Sequence, residues 1–444
     1  MSIFDYFRWN QQHEYKGPNI KFGRYSDAFK DEVKQTLFYE AIQRFDQEQF
    51  LPSVINLLDF LRDDLTDNVQ YDIEGEELFF QILQGSKTIM GRCNNEKFVA
   101  ISEIAAVSAP NVGLYRRLLD KNYVLKHNRF CLDADMNLIL KFGSFAVDAS
   151  PKKLYFALKE LAINADKYDD ILIDEFEELD QSNTGKIIQL TDVIKSKKAE
   201  FLRKEIQNSF DRIDQYKGFN DEVHHAISYI LLYCNYKLDY LVKPEGFTME
   251  LIERNHRLFF TKNEQEASHK NKLVRRNLAL LLERTDDQLF EEFYDTVHTF
   301  GYTQNASHEQ LKALINNELP KAETYISAGK IDLALDVMGY VAMYGLFHNG
   351  FPQPDVDMLS LFMHVMESEY YDDLGFETTF YRKEQLKEKR ILNRIREIRE
   401  MNKELYPEFN PEVSILSFEG KWQFAHSFLK MLQAYDLHYA GTIS

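Results

Sequence analysis

Cysteine is scarce in this chain of 444 residues: Cys93, Cys131 and Cys234 are widely spaced and form no CxxC pair. That scarcity argues against a disulfide framework and a zinc ribbon, and a reducing cytoplasm is the expected compartment. The chain has no run of about 18 consecutive apolar residues, so no transmembrane span is expected. Its amino terminus, MSIFDYFRWN, places Asp5 and Arg8 among aromatics and lacks the basic-then-apolar layout of a signal peptide. Positive charge is also short. The 53 Lys and Arg face 71 Asp and Glu, for a formal charge of −18, which disfavours nucleic acid as a partner because such binding rests on neutralising phosphates.

Motifs are missing as well. GxSxG, HExxH and GxGxxG are absent, so hydrolase, zinc-protease and dinucleotide chemistry lack their minimum residues. The stretch GSKT, residues 85 to 88, lacks the spacing of a phosphate loop, which requires Gly, four variable residues and then Gly-Lys-Ser/Thr.

Apolar residues are plentiful, 44% of the whole, enough to fill the cores of about two or three domains at this length. Residues 1–26, with Gly17, Pro18 and Gly23, read as an irregular arm. From Asp27 to about Asp63 the spacing of Leu37, Ala41, Phe45, Val54, Leu57, Leu58 and Leu61 predicts two helices broken near Pro52. Three apolar runs follow between residues 77 and 105, separated by Gly85-Ser86 and Asn94-Asn95, the pattern of an antiparallel meander. A short helix places Leu114, Leu118 and Leu119 inward and ends near Asn122.

RFCLDADMNLILKF, residues 129–142, sets Asp133, Asp135 and Asn137 on alternate positions and invites comparison with a calcium loop. An EF-hand needs Gly sixth and Glu twelfth, and Leu138 and Ser144 stand there instead. Leu138, Leu140 and Phe142 recur at the period of a strand, so the reading is a β-hairpin with polar residues at its tip. Ser150 and Pro151 then supply a cap and a first-turn proline for a long helix carrying Leu154, Leu158, Leu161, Ala165, Tyr168 and Leu172. Its acidic end, DKYDDILIDEFEELDQSNTG, reads as a solvated face running into a linker at 181–185, the alternative being a cation or basic-peptide site.

Beyond residue 185 the patterns are helical, near 195–216, 221–243, 248–260, 270–300, 307–318, 320–347, 355–370, 380–405 and 418–437. Tyr325, Gly329, Ala334 and Met338 have the spacing of a tetratricopeptide helix pair, a weak hairpin signal near 321–347 with a looser echo at 38–61, but the period does not continue. The helix at 381–403 is basic, with Leu386, Ile391, Ile395 and Ile398 expected to pack and its charges to spread over the surface. Metal chemistry has one candidate. Acid and histidine stand three residues apart at Glu222 and His225, Glu253 and His256, and Glu266 and His269, the ligand spacing of di-metal carboxylate bundles. Counting Asp221 and Asp295, five of the 12 histidines have such a neighbour where composition alone gives about two, a modest excess.

The order of elements over residues 27–180, most specifically NRFCLDADMNLILKF and SPKKLYFALKELAINADKYDDILIDEF with its segment Ala165 to Asp170, resembles the type III secretion chaperone-like fold and its YbjN-like relatives. The resemblance implies an α+β domain with a five-stranded antiparallel sheet in the order α-β-β-β-α-β-β-α. It also implies pairing as a homodimer, the holding of partner polypeptides against apolar patches, and no catalytic residues or cofactor. This chain departs from the family by adding an all-α C-terminal domain over 186–444. The functional expectation is a non-catalytic, chaperone-like cytoplasmic protein that binds another protein or peptide. The alternative is a metal-dependent enzyme in the helical half, with Glu222, His225, Glu253 and His256 as ligands.

Overall fold

A computed structural model describes residues 17–23, 29–63, 66–182, 186–216, 220–261, 266–299, 303–377 and 379–440. The chain opens with helices α1 (Glu32–Asp46), capped by the Asp31 carboxylate on Lys34 N, and α2 (Phe50–Leu61). The break between them falls at Gln47–Gln49, ahead of the expected site. Pro52 lies in the first turn of α2, where a missing N–H leaves no hydrogen bond unmade.

Strands β1 (Val69–Glu74), β2 (Glu77–Gln84), β3 (Lys87–Cys93) and β4 (Lys97–Val107) follow as a meander, then helix α3 (Val112–Val124), strands β5 (Arg129–Leu132) and β6 (Leu138–Phe145), helix α4 (Pro151–Glu175) and strand β7 (Leu179–Gln181). All pair antiparallel in the order β1-β2-β3-β4-β6-β5, with β7 on the far end of β4. The sheet therefore has seven strands rather than the expected five, and the order of elements gains a second leading helix. The expected hairpin is present. Leu132 faces Leu138, and the Asp133 carboxylate accepts from the backbone N–H groups of Asp135 and Asn137 at 2.9 and 2.8 Å, so it holds its own turn. Ser150 caps α4, whose Leu154, Leu158, Leu161, Ala165 and Leu172 are buried with the inward residues of β2, β3, β4 and β6.

The remaining chain is mainly helical: α5 (Asp192–Asp214), α6 (Asp221–Val242), α7 (Gly246–Phe260), α8 (Ala267–Leu282), α9 (Asp286–Glu291), α10 (His308–Ser327), α11 (Ile331–His348), α12 (Gln353–Met366), α13 (Ser368–Asp373), α14 (Glu388–Asn402) and α15 (Lys421–Ala434). Short ladders interrupt it, contrary to the all-helical expectation. Ile187–Gln189 pairs with Tyr294–Thr296, Gln304–Asn305 with Asn349–Gly350, and Tyr381–Arg382 with Gln385–Leu386. Lys383 and Glu384 both take positive φ in the last of these, so α14 starts at Glu388 and not near residue 380. Pro320 lies inside α10. The hairpin turns later, at Gly329, which adopts φ +71.

Two apolar cores result, one spanning residues 41–179 and a larger one spanning 199–435. Residues 17–23 of the arm form neither helix nor strand and lie on the helical part: Phe22 packs against Tyr371 at 4.7 Å and Phe376 at 5.7 Å, and Gly23 N donates to Tyr240 O at 2.9 Å. The rest of the expected arm, 1–16 and 24–26, lies outside the described residues, as do 183–185 of the expected linker, while Gln181 belongs to β7. Among the described residues no helix is long and apolar enough to cross a membrane.

Candidate functional site

Strand alternation sorts the sheet into two faces. Leu78, Phe80, Ile82, Ile89, Phe98, Ala100, Leu140 and Phe142 turn toward the helices and are buried. The alternate residues turn the other way: Phe79 on β2, Met90 on β3, Val99 and Ile101 on β4. Register brings them together, with Met90 opposite Ile101, and Arg92 between Phe79 and Val99. Met90 is 57% exposed and Phe79 37%, while Val99 and Ile101 are half-buried. Exposed Arg92, Lys97 and Lys141 frame this apolar strip. A sheet packed on one face and bare on the other, with apolar residues in register on the bare face, can take apolar side chains of another molecule.

The second concentration of chemistry is a polar seam between the two cores. Gly85 at φ +53 lets the β2–β3 turn press on α4, where a Cβ would stand 1.9 Å from the Asp166 carboxylate. Ser86 donates from its N–H to Asp166 at 2.8 Å and from its hydroxyl to Asp169 at 2.7 Å. Lys87 is fully buried, 3.1 Å from Asp169 and donating to the carbonyls of Ile104 and Ser182. GSKT is thus a turn whose lysine is consumed inside the fold. The acidic end of α4 corrects the expectation of a solvated face over its first half alone, since Asp174, Glu175, Glu177 and Asp180 are exposed. Asp166, Lys167 and Asp169 are buried, Asp170 accepts from the Tyr294 hydroxyl at 2.8 Å, and Lys167 meets Glu250 at 2.6 Å and Glu253 at 2.5 Å on α7. Lys243 pairs with Asp295 at 3.3 Å, and Lys198 donates to Val242 O at 2.8 Å. Burial pushes the Asp169 carboxyl up to about 6 although Lys87 opposes it, and pushes the Lys198 ammonium down to about 8. Of these groups Lys167, through Glu250 and Glu253, and Asp170, through Tyr294, bond across to the helical part, while Lys87, Lys198 and Lys243 are satisfied within their own part.

The metal-ligand candidates do not converge. Glu222 is exposed and pairs with Lys330 at 3.0 Å, and His225 is exposed beside it. Glu253 is taken by Lys167 and Arg257. His256 places Nδ1 2.7 Å from the Tyr236 hydroxyl among the rings of Phe260 and Phe347, and burial lowers it to about 4. Glu266 and His269 sit exposed at the start of α8. Among the described residues no group of three or more His, Cys, Asp and Glu is placed to hold a metal ion. Burial raises the Cys93 and Cys234 thiols to about 12, far from thiolate chemistry.

A cavity of about 300 Å³ opens between α5, α6 and α11, with Glu205, Arg212, Tyr233, Lys237 and Asp336 in its lining. Lys237 lies between Glu205 and Glu367, and Arg212 is bound twice by Asp336, so both of these cations are already neutralised. A scan against models of known protein families finds no match to this chain, and a search of the curated proteins finds none either.

Proposed function

We propose that this chain is a non-catalytic, chaperone-like binding protein that holds a partner polypeptide on the open face of its sheet. The observation that carries the reading is the strip of Phe79, Met90, Val99 and Ile101, turned outward in register on a sheet whose other face is filled. Burying such side chains against a partner contributes roughly 25 cal/mol per Å² of apolar surface, and the framing cations favour a partner with acids beside its apolar residues. The edge strand β1 adds an unpaired side along Val69–Glu74 to which an extended segment can pair, although Val69 O already accepts from Arg62 and Ile73 N donates to Asp72. The succession of meander, short helix, hairpin and long helix over residues 77–175 is the part of the observed order that supports the likeness to chaperone-like domains, and the charge of −18 suits a polypeptide partner better than a nucleic acid.

Site-specific photocrosslinking in the producing cells tests this. A benzophenone side chain at position 90 should capture a defined polypeptide, and one at exposed position 404 on the helical part should not. Phe79→Ser combined with Ile101→Ser should abolish the capture without changing the melting temperature. Equal capture from both positions, or capture that survives the double variant, overturns the reading. A product of twice the chain mass would identify a second copy as the occupant and replace the partner with self-association.

A further inference from the structure

Helix α3 is firmly anchored. Leu114 and Leu118 enter the core, Arg117 holds Glu175 of α4 through two hydrogen bonds of 2.7 and 3.0 Å, and the Lys121 ammonium lies 4.6 Å from the Tyr168 ring centre. Asn122 braces the helix against β5 by donating to Phe130 O at 2.9 Å and accepting from Phe130 N at 2.7 Å. What this anchoring presents to solvent is apolar. Val112, Leu119, Tyr123 and Val124 are 66, 68, 92 and 67% exposed. A solvated helix face normally carries polar residues at such positions.

Val112, Arg116, Leu119 and Tyr123 follow one another in steps of four, three and four, the step pattern of a seam that another helix can fill. The charge of this segment is opposite to that of the chain. Residues 112–129 contain Arg116, Arg117, Lys121, Lys126 and Arg129 against the single acid Asp120, in a protein of formal charge −18. Arg116 and Lys126 are exposed beside the apolar stripe.

We propose that the outward face of α3 is a docking seam for an acidic amphipathic helix of a partner protein. Apolar side chains of that helix would cover Leu119, Tyr123 and Val112, and its flanking carboxylates would meet Arg116 and Lys126. A helix is the favoured occupant because α3 offers side chains at helical spacing and no free backbone edge. A membrane surface is disfavoured because the stripe is narrow and Asp120 stands next to Leu119. This seam is separate from the open sheet face. Leu114 and Leu118 join the core on the filled side of the sheet, whereas Phe79 and Met90 face the other way.

The test uses the full chain and a synthetic helix about three heptads long, with Leu along one stripe and Glu flanking it, next to a version with Lys in place of Glu. Fluorescence anisotropy should show binding of the Glu peptide alone, weakened by added salt. Leu119→Ser with Tyr123→Ser should weaken it about ten-fold or more, while Phe79→Ser with Ile101→Ser should leave it unchanged. The melting temperature of the α3 variant should match the parent protein because Leu119 and Tyr123 are largely exposed. The proposal is overturned if the Lys peptide binds as well, if neither binds, if the α3 variant binds like the parent, or if vesicles of anionic lipid bind α3 and the Glu peptide does not.

Discussion

Before Gln181, twelve of the described large apolar side chains stand exposed, from Tyr39 to Phe156; beyond it Val193, Phe260, Leu405 and Val413 do, although that part is the longer. The helical part turns even its charges inward, burying Lys198, Lys237 and Lys243 against carboxylates or carbonyls of its own chain. The α+β part fills one face of its sheet and leaves the other bare, and it leaves α3 half unpacked. One part is closed on itself, and the other has contacts still to make. An apolar group whose only neighbour is water is where a second molecule gains most, so the partner binding we propose falls to the α+β part.

The pair buried beneath the β2–β3 turn, inside the α+β part, gives the largest expected effect. Lys87→Ala leaves Asp169 buried without its cation and should destabilise the protein by about 3 to 5 kcal/mol in urea titration. A change below about 1 kcal/mol would mean that this pair contributes no more than a surface one. Within the filled face, Leu158→Ala should cost about 2 to 5 kcal/mol, because the side chain is fully buried against the sheet. Ser150→Ala should cost about 1 kcal/mol by removing the cap on Lys153 N. A pH scan probes the seam itself, where Arg284 reaches both Asp174 of α4, at 3.3 Å, and Glu292. Burial raises the Glu292 carboxyl from 4.5 to about 7 although Arg284 and Thr248 oppose it, so between those values the native state keeps a proton that the unfolded chain has released. Stability attributable to this group therefore falls as pH rises through that window, and Glu292→Gln should flatten the fall in melting temperature. The smallest effect belongs to the open face: Phe79→Ser should shift stability by no more than about 0.5 kcal/mol while weakening partner capture. A large loss there would show that Phe79 is core after all.

Much of the inner architecture is legible in the residues. Asp133 to Asn137 announce a turn by their αL tolerance, Ser150-Pro151 announces a helix start, and Leu158, Leu161 and Leu172 mark one helical face. Other features are hidden for physical reasons. Strand β1, VQYDIE, lies on an edge, where charge is tolerated and apolar content drops, and β7 is three residues long. On β2 the run Leu78-Phe79-Phe80 masks which ring faces out, because adjacent apolar residues look the same whichever way the strand faces. The burial of the acidic end of α4 did leave a signal. Asp169 follows Ala162 and Ala165 and precedes Leu172 at helical steps, in phase with the apolar stripe and out of phase with a solvated face. The solvent-facing character of Leu119 left none, because a leucine that awaits a partner has the same spacing as one that packs at home.

The placement of the arm has a consequence for how the chain is made. Lys21 N donates to an Asp295 carboxylate oxygen at 3.1 Å, the Lys21 ammonium donates to the carbonyls of Thr296 and Val297, and Phe22 rests on Tyr371 and Phe376. These residues leave the ribosome well ahead of their seats, Asp295 lying 274 positions after Lys21. At ordinary synthesis rates Phe22 emerges roughly twenty seconds to a minute before Phe376. The α+β part can complete its own core during that interval, whereas the arm must wait, undocked, until most of the helices have been translated. Its docking is a late, long-range closure that waits for the helices that seat it.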